Sequence, residues 1–147
     1  MIPEEAFLSH ASSDQARATS LSEVLVRHRV PLWFSPSQIA GAQQWHDEIG
    51  VAIRRCDWFL LLLSPSAIEA RWVKRELIFA LQNNRYDNRI VPLLYEPCDF
   101  ESLSWVLPGF QTISFQESLD EGYRDLLKIW NIRYLREEGQ TTRSSDT

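Results

Sequence analysis

The chain has 147 residues, of which 44% are hydrophobic and 24% charged, and this balance is typical of one globular domain. Its net charge of −5 argues against a surface that binds duplex nucleic acid, because such a surface needs clustered lysines and arginines. With Cys56 and Cys98 as the only cysteines and no secretory pattern at the N-terminus, we expect a cytoplasmic protein without a disulfide framework.

Hydrophobic periodicity predicts alternating strands and helices along most of the chain. The strands are predicted over 6–10, 30–35, 58–63, 89–95 and 110–115, and the helices over 12–29, 44–55, 67–82 and 119–135. The connection 96–108 has room for a short helical turn. Residues 136–147 are polar and rich in Gly, Ser and Thr, so we expect a disordered tail or linker after a domain spanning 1–135.

Two helices are predicted to begin with a capping box. In this motif a serine accepts hydrogen bonds from the first amides of the helix, and a Glu or Gln three residues later bonds back. Ser12 and Gln15 have this spacing before the first helix, and Ser66 and Glu69 have it before the third. The third helix is therefore expected to begin at about Ala67.

The central feature of the sequence is a continuous apolar run from Trp58 to Leu63. It is too short to cross a membrane and lacks the alternation of a half-exposed strand, so it predicts a strand covered on both faces. Strands that alternate with helices imply a flavodoxin-like three-layer α/β sandwich. Its sheet would have five parallel strands in the order 2-1-3-4-5, with helices on both faces. The carboxyl ends of strands one and three would then be adjacent, where such folds place their ligands.

Glu76 is the unusual residue of the third helix. Its neighbours three and four positions away are Trp72, Val73, Phe79 and Ala80, so no lysine or arginine can pair with it along the helix. Apolar surroundings raise the pKa of a carboxyl group, and such groups concentrate at functional sites. The alternative is a half-exposed Glu76 that reaches water or a distant arginine. Trp72 lies on the same helical face as Glu76, and the alternative to a role in the site is that it fills the core.

Several chemistries common on such sheets are not supported. A phosphoacceptor domain needs acidic residues after strand one, an aspartate ending strand three and a lysine after strand five, where this chain has Ser9-His10, Ser64 and Phe115-Gln116. The glycines are isolated and form no dinucleotide- or phosphate-binding loop, and the histidines and cysteines lack metal-ligand spacing. We therefore expect no metal and no bound cofactor.

Three stretches together carry a family resemblance. They are Phe7-Leu-Ser-His10, the segment 33–45 from Trp33 to Trp45, and Leu62-Leu-Ser-Pro-Ser66 followed by Trp72-Val-Lys-Arg-Glu-Leu77. In this order and spacing they resemble a Toll/interleukin-1 receptor (TIR) domain over roughly residues 5–135. The chain looks closer to bacterial TIR domains than to animal adaptors, and the W-x-x-x-E pair resembles that of TIR domains that cleave NAD⁺.

The resemblance implies an NAD⁺ glycohydrolase or ADP-ribosyl cyclase, with NAD⁺ as substrate rather than cofactor. Glu76 would be catalytic, beside the ribose of the nicotinamide nucleotide, and Trp72 would stack on a ring or select the nucleophile. Further substrate contacts are expected from residues at the strand ends and the following loop, with packing alone as the alternative for each: Phe7, Ser9, His10, Ser35 and Trp45. Many TIR domains have an acidic residue after strand two, where this chain has Ser35-Pro36.

In TIR domains the loop that corresponds to 36–44 completes the active site of a neighbouring copy, so the resemblance also implies activation by self-association. A bacterial enzyme of this kind would deplete NAD⁺ or make a nucleotide signal in antiphage defence, triggered by a separate protein or by a region outside this sequence. The alternative is a non-catalytic TIR module that recruits other TIR domains. The sequence decides neither the product isomer nor the trigger.

Overall fold

A sheet of five parallel strands in the order β2-β1-β3-β4-β5 organises the molecule. The structure is a computed structural model that describes residues 2–35 and 42–136, with only the backbone for 42–46. The strands are β1 Ala6–Ser9, β2 Leu32–Phe34, β3 Trp58–Leu63, β4 Ile90–Leu94 and β5 Ile113–Ser114. The helices are α1 Gln15–Arg27, α2 Ala42–Arg55, α3 Pro65–Glu69, α4 Arg71–Gln82 and α5 Leu119–Ile129.

The central strand β3 divides the core into two layers. All six of its residues are buried, and alternate side chains point to opposite faces of the sheet. Phe59, Leu61 and Leu63 pack with side chains of α2 and α4, whereas Leu60 and Leu62 pack with α1 and α5. The predicted fold class, a flavodoxin-like sheet between two helical layers, is confirmed.

The prediction of one helix over 67–82 that begins with a capping box is wrong. Ser64 is the N-cap, accepting a hydrogen bond from the Ala67 amide at 3.2 Å, and Pro65 occupies the first helical turn, where its missing amide proton costs nothing. The extended backbone of Ala70 (φ −83°, ψ 109°) then separates α3 from α4. The site helix α4 therefore has its own start and its own orientation.

The capping box predicted at Ser12 is also wrong. Residues Ser12–Asp14 form a short 3-10 turn, and no side chain caps the start of α1. Asp14 is buried and its Oδ2 accepts a hydrogen bond from Ser64 Oγ at 2.5 Å instead. This bond joins the turn after β1 to the turn after β3.

The last helix is shorter than the predicted 119–135. It ends at Ile129, and Asn131 takes a left-handed conformation (φ 59°) that asparagine tolerates at a helix end. The chain then folds back, so that Tyr134 Oη donates a hydrogen bond to Asp120 Oδ1 at 2.7 Å. The aromatic residue belongs to a return segment and not to the helix.

Pro92 lies inside the sheet, in β4 between β3 and β5. A proline is tolerated at this position because β5 pairs with β4 only through Leu93 and Leu94. No residue of β5 therefore needs the amide proton that Pro92 lacks.

None of the helices in the described part of the chain has the length and apolar character needed to span a membrane. The predicted tail 136–147 lies outside the described residues from position 137 onward, so the domain boundary stays a prediction.

Candidate active site

Glu76 is a buried carboxyl group in the middle of α4, with 7% of its surface exposed. Ser9, the last residue of β1, donates a hydrogen bond from Oγ to Glu76 Oε1 at 2.6 Å. The side chain of Trp72, one turn earlier on α4, also bonds the carboxyl group, and an indole does so by donating its N–H. Two donors therefore hold one acid, and the alternative of a half-exposed Glu76 is wrong.

Burial raises the pKa of Glu76 from 4.5 to about 8, although the hydrogen bonds from Ser9 and Trp72 act in the opposite direction. The cause is desolvation, which penalises the carboxylate more than the neutral acid. Near pH 7 most molecules hold the protonated form, and a cation placed beside the group would favour the carboxylate. A carboxyl group with this balance suits a site that handles protons or a developing positive charge.

Glu76 and Trp72 line a pocket of about 220 Å³ between α2 and α4. The other lining residues are Ile49, Gly50, Ile53, Arg54, Arg75 and Phe79. Apolar side chains around Glu76 lower the local dielectric constant, which strengthens any electrostatic interaction with its carboxyl group. The arrangement can hold a flat or ring-shaped group against a carboxyl group that accepts hydrogen bonds from Ser9 and Trp72.

The topology explains why Ser9 reaches α4. Strand β1 lies beside β3, with Ser9 opposite Leu61, and α4 covers the face that carries Phe59, Leu61 and Leu63. Phe7 and Ser9 are two residues apart and therefore share that face. The sequence thus places a hydroxyl under the helix at the carboxyl edge of the sheet.

Phe7 and Ser35 lie on the same side of the sheet as Glu76. Phe7 is fully buried, with its ring stacked between Trp33 at 5.2 Å and Phe59 at 5.6 Å, and it supports the site from within the core. Ser35 is half-buried and follows Phe34, which pairs with Leu8, so it lies next to the end of β1. Substrate contact by either residue stays a prediction.

His10 is not brought to Glu76. It is buried against the opposite layer, where its Nε2 lies 2.8 Å from Gln15 Oε1 and its ring meets the edge of Phe34. The alternation of strand side chains separates it from Ser9. The side chain of Trp45 and the loop residues 36–41 lie outside the described residues, so their predicted roles stay predictions.

A second polar cluster, around Asp14, has a structural role. Asp14 accepts a hydrogen bond from Ser64 and another from Arg17 at 3.1 Å, and Arg17 also pairs with Glu96 at 2.7 Å. These bonds tie together the chain segments that follow β1, β3 and β4. Among the described residues no group of three His, Cys, Asp or Glu side chains could hold a metal ion.

A comparison with models of protein families identifies the family of this chain. The model of the TIR domain family matches residues 6–127. The chain belongs to the TIR domain family. No curated protein matches the sequence. Among solved structures, the TIR domains of the activated Roq1 resistosome, which directly recognises the pathogen effector XopQ, have a TM-score of 0.66 and 14% identity. The match covers 86% of this chain and 98% of the other, and at this identity it shows a shared fold.

In this TIR domain the pocket contains residues that the sequence did not single out as site residues. Ile49 and Ile53 have the spacing of a buried helical face, and Phe79 was noted only as a neighbour of Glu76. Arg54 and Arg75 were missed altogether. The signal that could have found them is the lack of an acid at helical spacing within α2 or α4, which leaves each guanidinium without a partner on its own helix.

Proposed function

We propose that this TIR domain is an NAD⁺ nucleosidase, an NAD⁺ glycohydrolase or ADP-ribosyl cyclase that cleaves the bond between nicotinamide and ribose. The observation that supports this most is the buried Glu76 at an apolar pocket, held by Ser9 and Trp72. The position of this acid, four residues after a tryptophan, is also the point at which the sequence resembles NAD⁺-cleaving TIR domains. The sequence resemblance and the geometry thus support a role for the same residue.

In the proposed reaction the C1′–N bond of the nicotinamide riboside breaks and its electron pair leaves with nicotinamide. The pyridinium becomes neutral, and positive charge develops on C1′ and the ring oxygen of the ribose. A carboxylate beside C1′ stabilises that charge, as in glycoside cleavage, and most strongly where water is excluded. The cationic substrate favours the carboxylate form of Glu76, so binding and ionisation reinforce each other.

The electron-poor C1′ is then attacked by a nucleophile. Water gives ADP-ribose and releases a proton, whereas an adenine nitrogen of the same substrate gives a cyclic ADP-ribose isomer. Trp72 is the side chain best placed to influence the choice, because it bonds Glu76 and lines the pocket. Either outcome uses NAD⁺ as a substrate and needs no further cofactor.

Self-association is part of the proposal. The pocket of about 220 Å³ is smaller than the 300–1,000 Å³ usual for ligands of drug size, so it would enclose one part of a dinucleotide. A second copy, contributing its loop 36–44, would enclose the remainder. The Roq1 TIR domains belong to an assembly that is called a resistosome, which is compatible with activation of this chain by TIR–TIR contacts.

A non-catalytic interaction module is the second candidate. The observation in its favour is Trp105, an aromatic side chain that is 85% exposed on the connection between β4 and β5. Exposed aromatic residues are enriched at protein interfaces. This function does not require a buried acid at Glu76, so the enzyme remains the better-supported candidate. For the enzyme we propose a cytoplasmic role in bacterial antiphage defence, triggered by a separate protein or by a region outside this sequence.

The test is incubation of concentrated protein with NAD⁺ under crowding, followed by chromatography for nicotinamide and ADP-ribose species. We expect nicotinamide release by the wild type and a loss of about 10²–10⁴-fold in Glu76→Gln, which is the range for a positioned acid or base group. The matched control is Glu69→Gln, the same change on the exposed surface of α3. Without release from assembled wild-type protein, the interaction module would replace the enzyme as our conclusion.

A further inference from the structure

Two arginines on different helices line the pocket of Glu76. Arg54 is on α2 and Arg75 is on α4, and both side chains are exposed. Among the side chains that the structure describes, neither guanidinium takes part in an ion pair. By contrast, Arg55, the residue after Arg54, pairs with Glu5 at 2.7 Å. The pocket therefore carries two positive charges that the fold does not use.

The local sequence explains why these charges are available. The positions three and four residues from Arg75 are Arg71, Trp72, Ile78 and Phe79, none of them acidic. Asp57 follows Arg54 by three residues, but it lies beyond the end of α2 and accepts hydrogen bonds from the Glu4 and Glu5 amides. Ordinary helical ion pairs are thus excluded for both arginines.

Gly50 shows where the guanidinium of Arg54 lies. A Cβ added to Gly50 would be 2.9 Å from a terminal nitrogen of Arg54, closer than such contacts occur. The guanidinium therefore lies directly over Gly50, which itself lines the pocket. The absence of a side chain at this position leaves room for Arg54 to lie back along α2 at the pocket, where it remains exposed to solvent.

We propose that Arg54 and Arg75 bind the diphosphate of a dinucleotide whose nicotinamide riboside half lies against Glu76. The inference rests on the proposed function and names the substrate class of the same site. A guanidinium donates two parallel hydrogen bonds to a phosphate, and this geometry makes arginine the preferred residue for such groups. In a chain of net charge −5, an anionic substrate also needs a local positive region to overcome the general repulsion.

The size of the pocket agrees with a substrate whose nicotinamide riboside half lies inside and whose diphosphate lies at the opening. Its apolar part has room for one ring-sized moiety beside Glu76 and Trp72, while the phosphates would lie where the arginines meet solvent. Phosphates there keep part of their hydration and gain charge-assisted hydrogen bonds. The arginines would thus select nicotinamide dinucleotides over nicotinamide riboside, which has the same scissile bond and lacks the phosphates.

The experiment compares kcat/KM for NAD⁺ with kcat/KM for nicotinamide riboside, which has the same scissile bond and no phosphate. We expect the ratio of the two to fall about tenfold in Arg54→Gln and in Arg75→Gln, and about 100-fold in the double variant. Arg71→Gln is the matched control, since Arg71 is exposed on α4 and does not line the pocket. An unchanged ratio in both pocket variants would overturn the proposal.

Gly50→Ala provides an independent perturbation. It leaves both arginines in place, favours the helix, and displaces the guanidinium of Arg54 by the added Cβ. Because the end of a flexible arginine side chain can shift away from the added Cβ, we expect the ratio to fall less than in Arg54→Gln, with the urea midpoint no lower than that of the wild type. A ratio above that of the wild type, or below that of Arg54→Gln, would contradict the assigned position of Arg54.

A titration without turnover separates this inference from the proposed function. ADP-ribose and inorganic pyrophosphate are titrated into wild type and into the double arginine variant by calorimetry. If no protein cleaves NAD⁺ but ADP-ribose still binds the wild type about 100-fold more tightly than the double variant, the proposed function fails and the arginine site stands. Equal binding to both proteins, or pyrophosphate binding the wild type as tightly as ADP-ribose, would overturn the dinucleotide site.

Discussion

Replacing Glu76 by glutamine is expected to stabilise the fold near neutral pH while it removes catalysis. Glutamine has nearly the same shape and keeps an oxygen that can accept the hydrogen bond from Ser9. It lacks the ionisable group, so the cost of holding a proton or burying a charge disappears. The direction is unusual, because most substitutions of buried residues destabilise a protein.

The magnitude follows from the pKa of Glu76, which burial raises from 4.5 to about 8. Between these values the native state holds a proton that the unfolded state has released, so the free energy of unfolding falls as the pH rises. Each pKa unit corresponds to about 1.4 kcal/mol, and pH 7 lies about 2.5 units above the unfolded value. Relative to glutamine, the wild type should therefore lose about 3 kcal/mol by pH 7 and no more beyond about pH 8.

The assay is urea unfolding of wild type and Glu76→Gln, followed by tryptophan fluorescence at about pH 5, 6, 7 and 8. Other titrating groups are common to both proteins and cancel in the difference. We expect the variant to gain about 1 kcal/mol or less at pH 5 and about 3 kcal/mol at pH 7. A difference that does not change with pH would refute the raised pKa, and Glu69→Gln should show none at any pH.

Further predictions concern the pKa of Glu76 and the cap that Ser64 provides for α3. The value of kcat/KM for NAD⁺ should rise about tenfold per pH unit below pH 8 and then level off, because it follows the fraction of free enzyme in which Glu76 is ionised. A flat pH profile would contradict this. Ser9→Ala and Trp72→Phe each remove a donor that lowers the pKa of Glu76, so each should move the midpoint of the pH profile of kcat/KM to higher pH. A shift to lower pH would show that the donors favour the neutral acid. Ser64→Ala removes an N-cap and leaves Oδ2 of the buried Asp14 without its donor, so urea unfolding should show a loss of about 2 kcal/mol. Ser66→Ala should cost less than about 0.5 kcal/mol, and equal losses would favour the capping box.

The sheet could be predicted because its information is local and strong. The run Trp58–Leu63 has no polar residue to place on an exposed face, so its burial on both sides followed from hydrophobicity alone. Alternation with helices then limited the strand order to very few choices. The helix starts could not be predicted in this way, because Ser64 and Ser66 have the same capping chemistry. Pro65 and a contact to Asp14, distant in sequence, decide between them.

The site was predictable in part for the same reason. The apolar neighbours of Glu76 in α4 indicated a raised pKa before any contact was known, but no helical pattern shows that Ser9 supplies the donor. Grouping His10 with Ser9 overlooked the twofold alternation of a strand, which sends the two side chains to opposite layers. The sequence shows that Arg54 and Arg75 lack an acid at helical spacing, but only the three-dimensional structure shows that they share a pocket, because α2 precedes β3 in the chain and α4 follows it.

The cost of Glu76 is itself an argument about function. A glutamine would keep an acceptor for Ser9, yet it would spare the fold a penalty of about 3 kcal/mol at neutral pH, a large part of the total stability of a domain. A surface used only to recruit other TIR domains has no need for a buried acid. An enzyme that stabilises a ribosyl cation does, because the same desolvation that weakens the fold strengthens the attraction between carboxylate and cation. Stability that rises and activity that disappears in one variant, Glu76→Gln, would be the combined result that only the catalytic role explains.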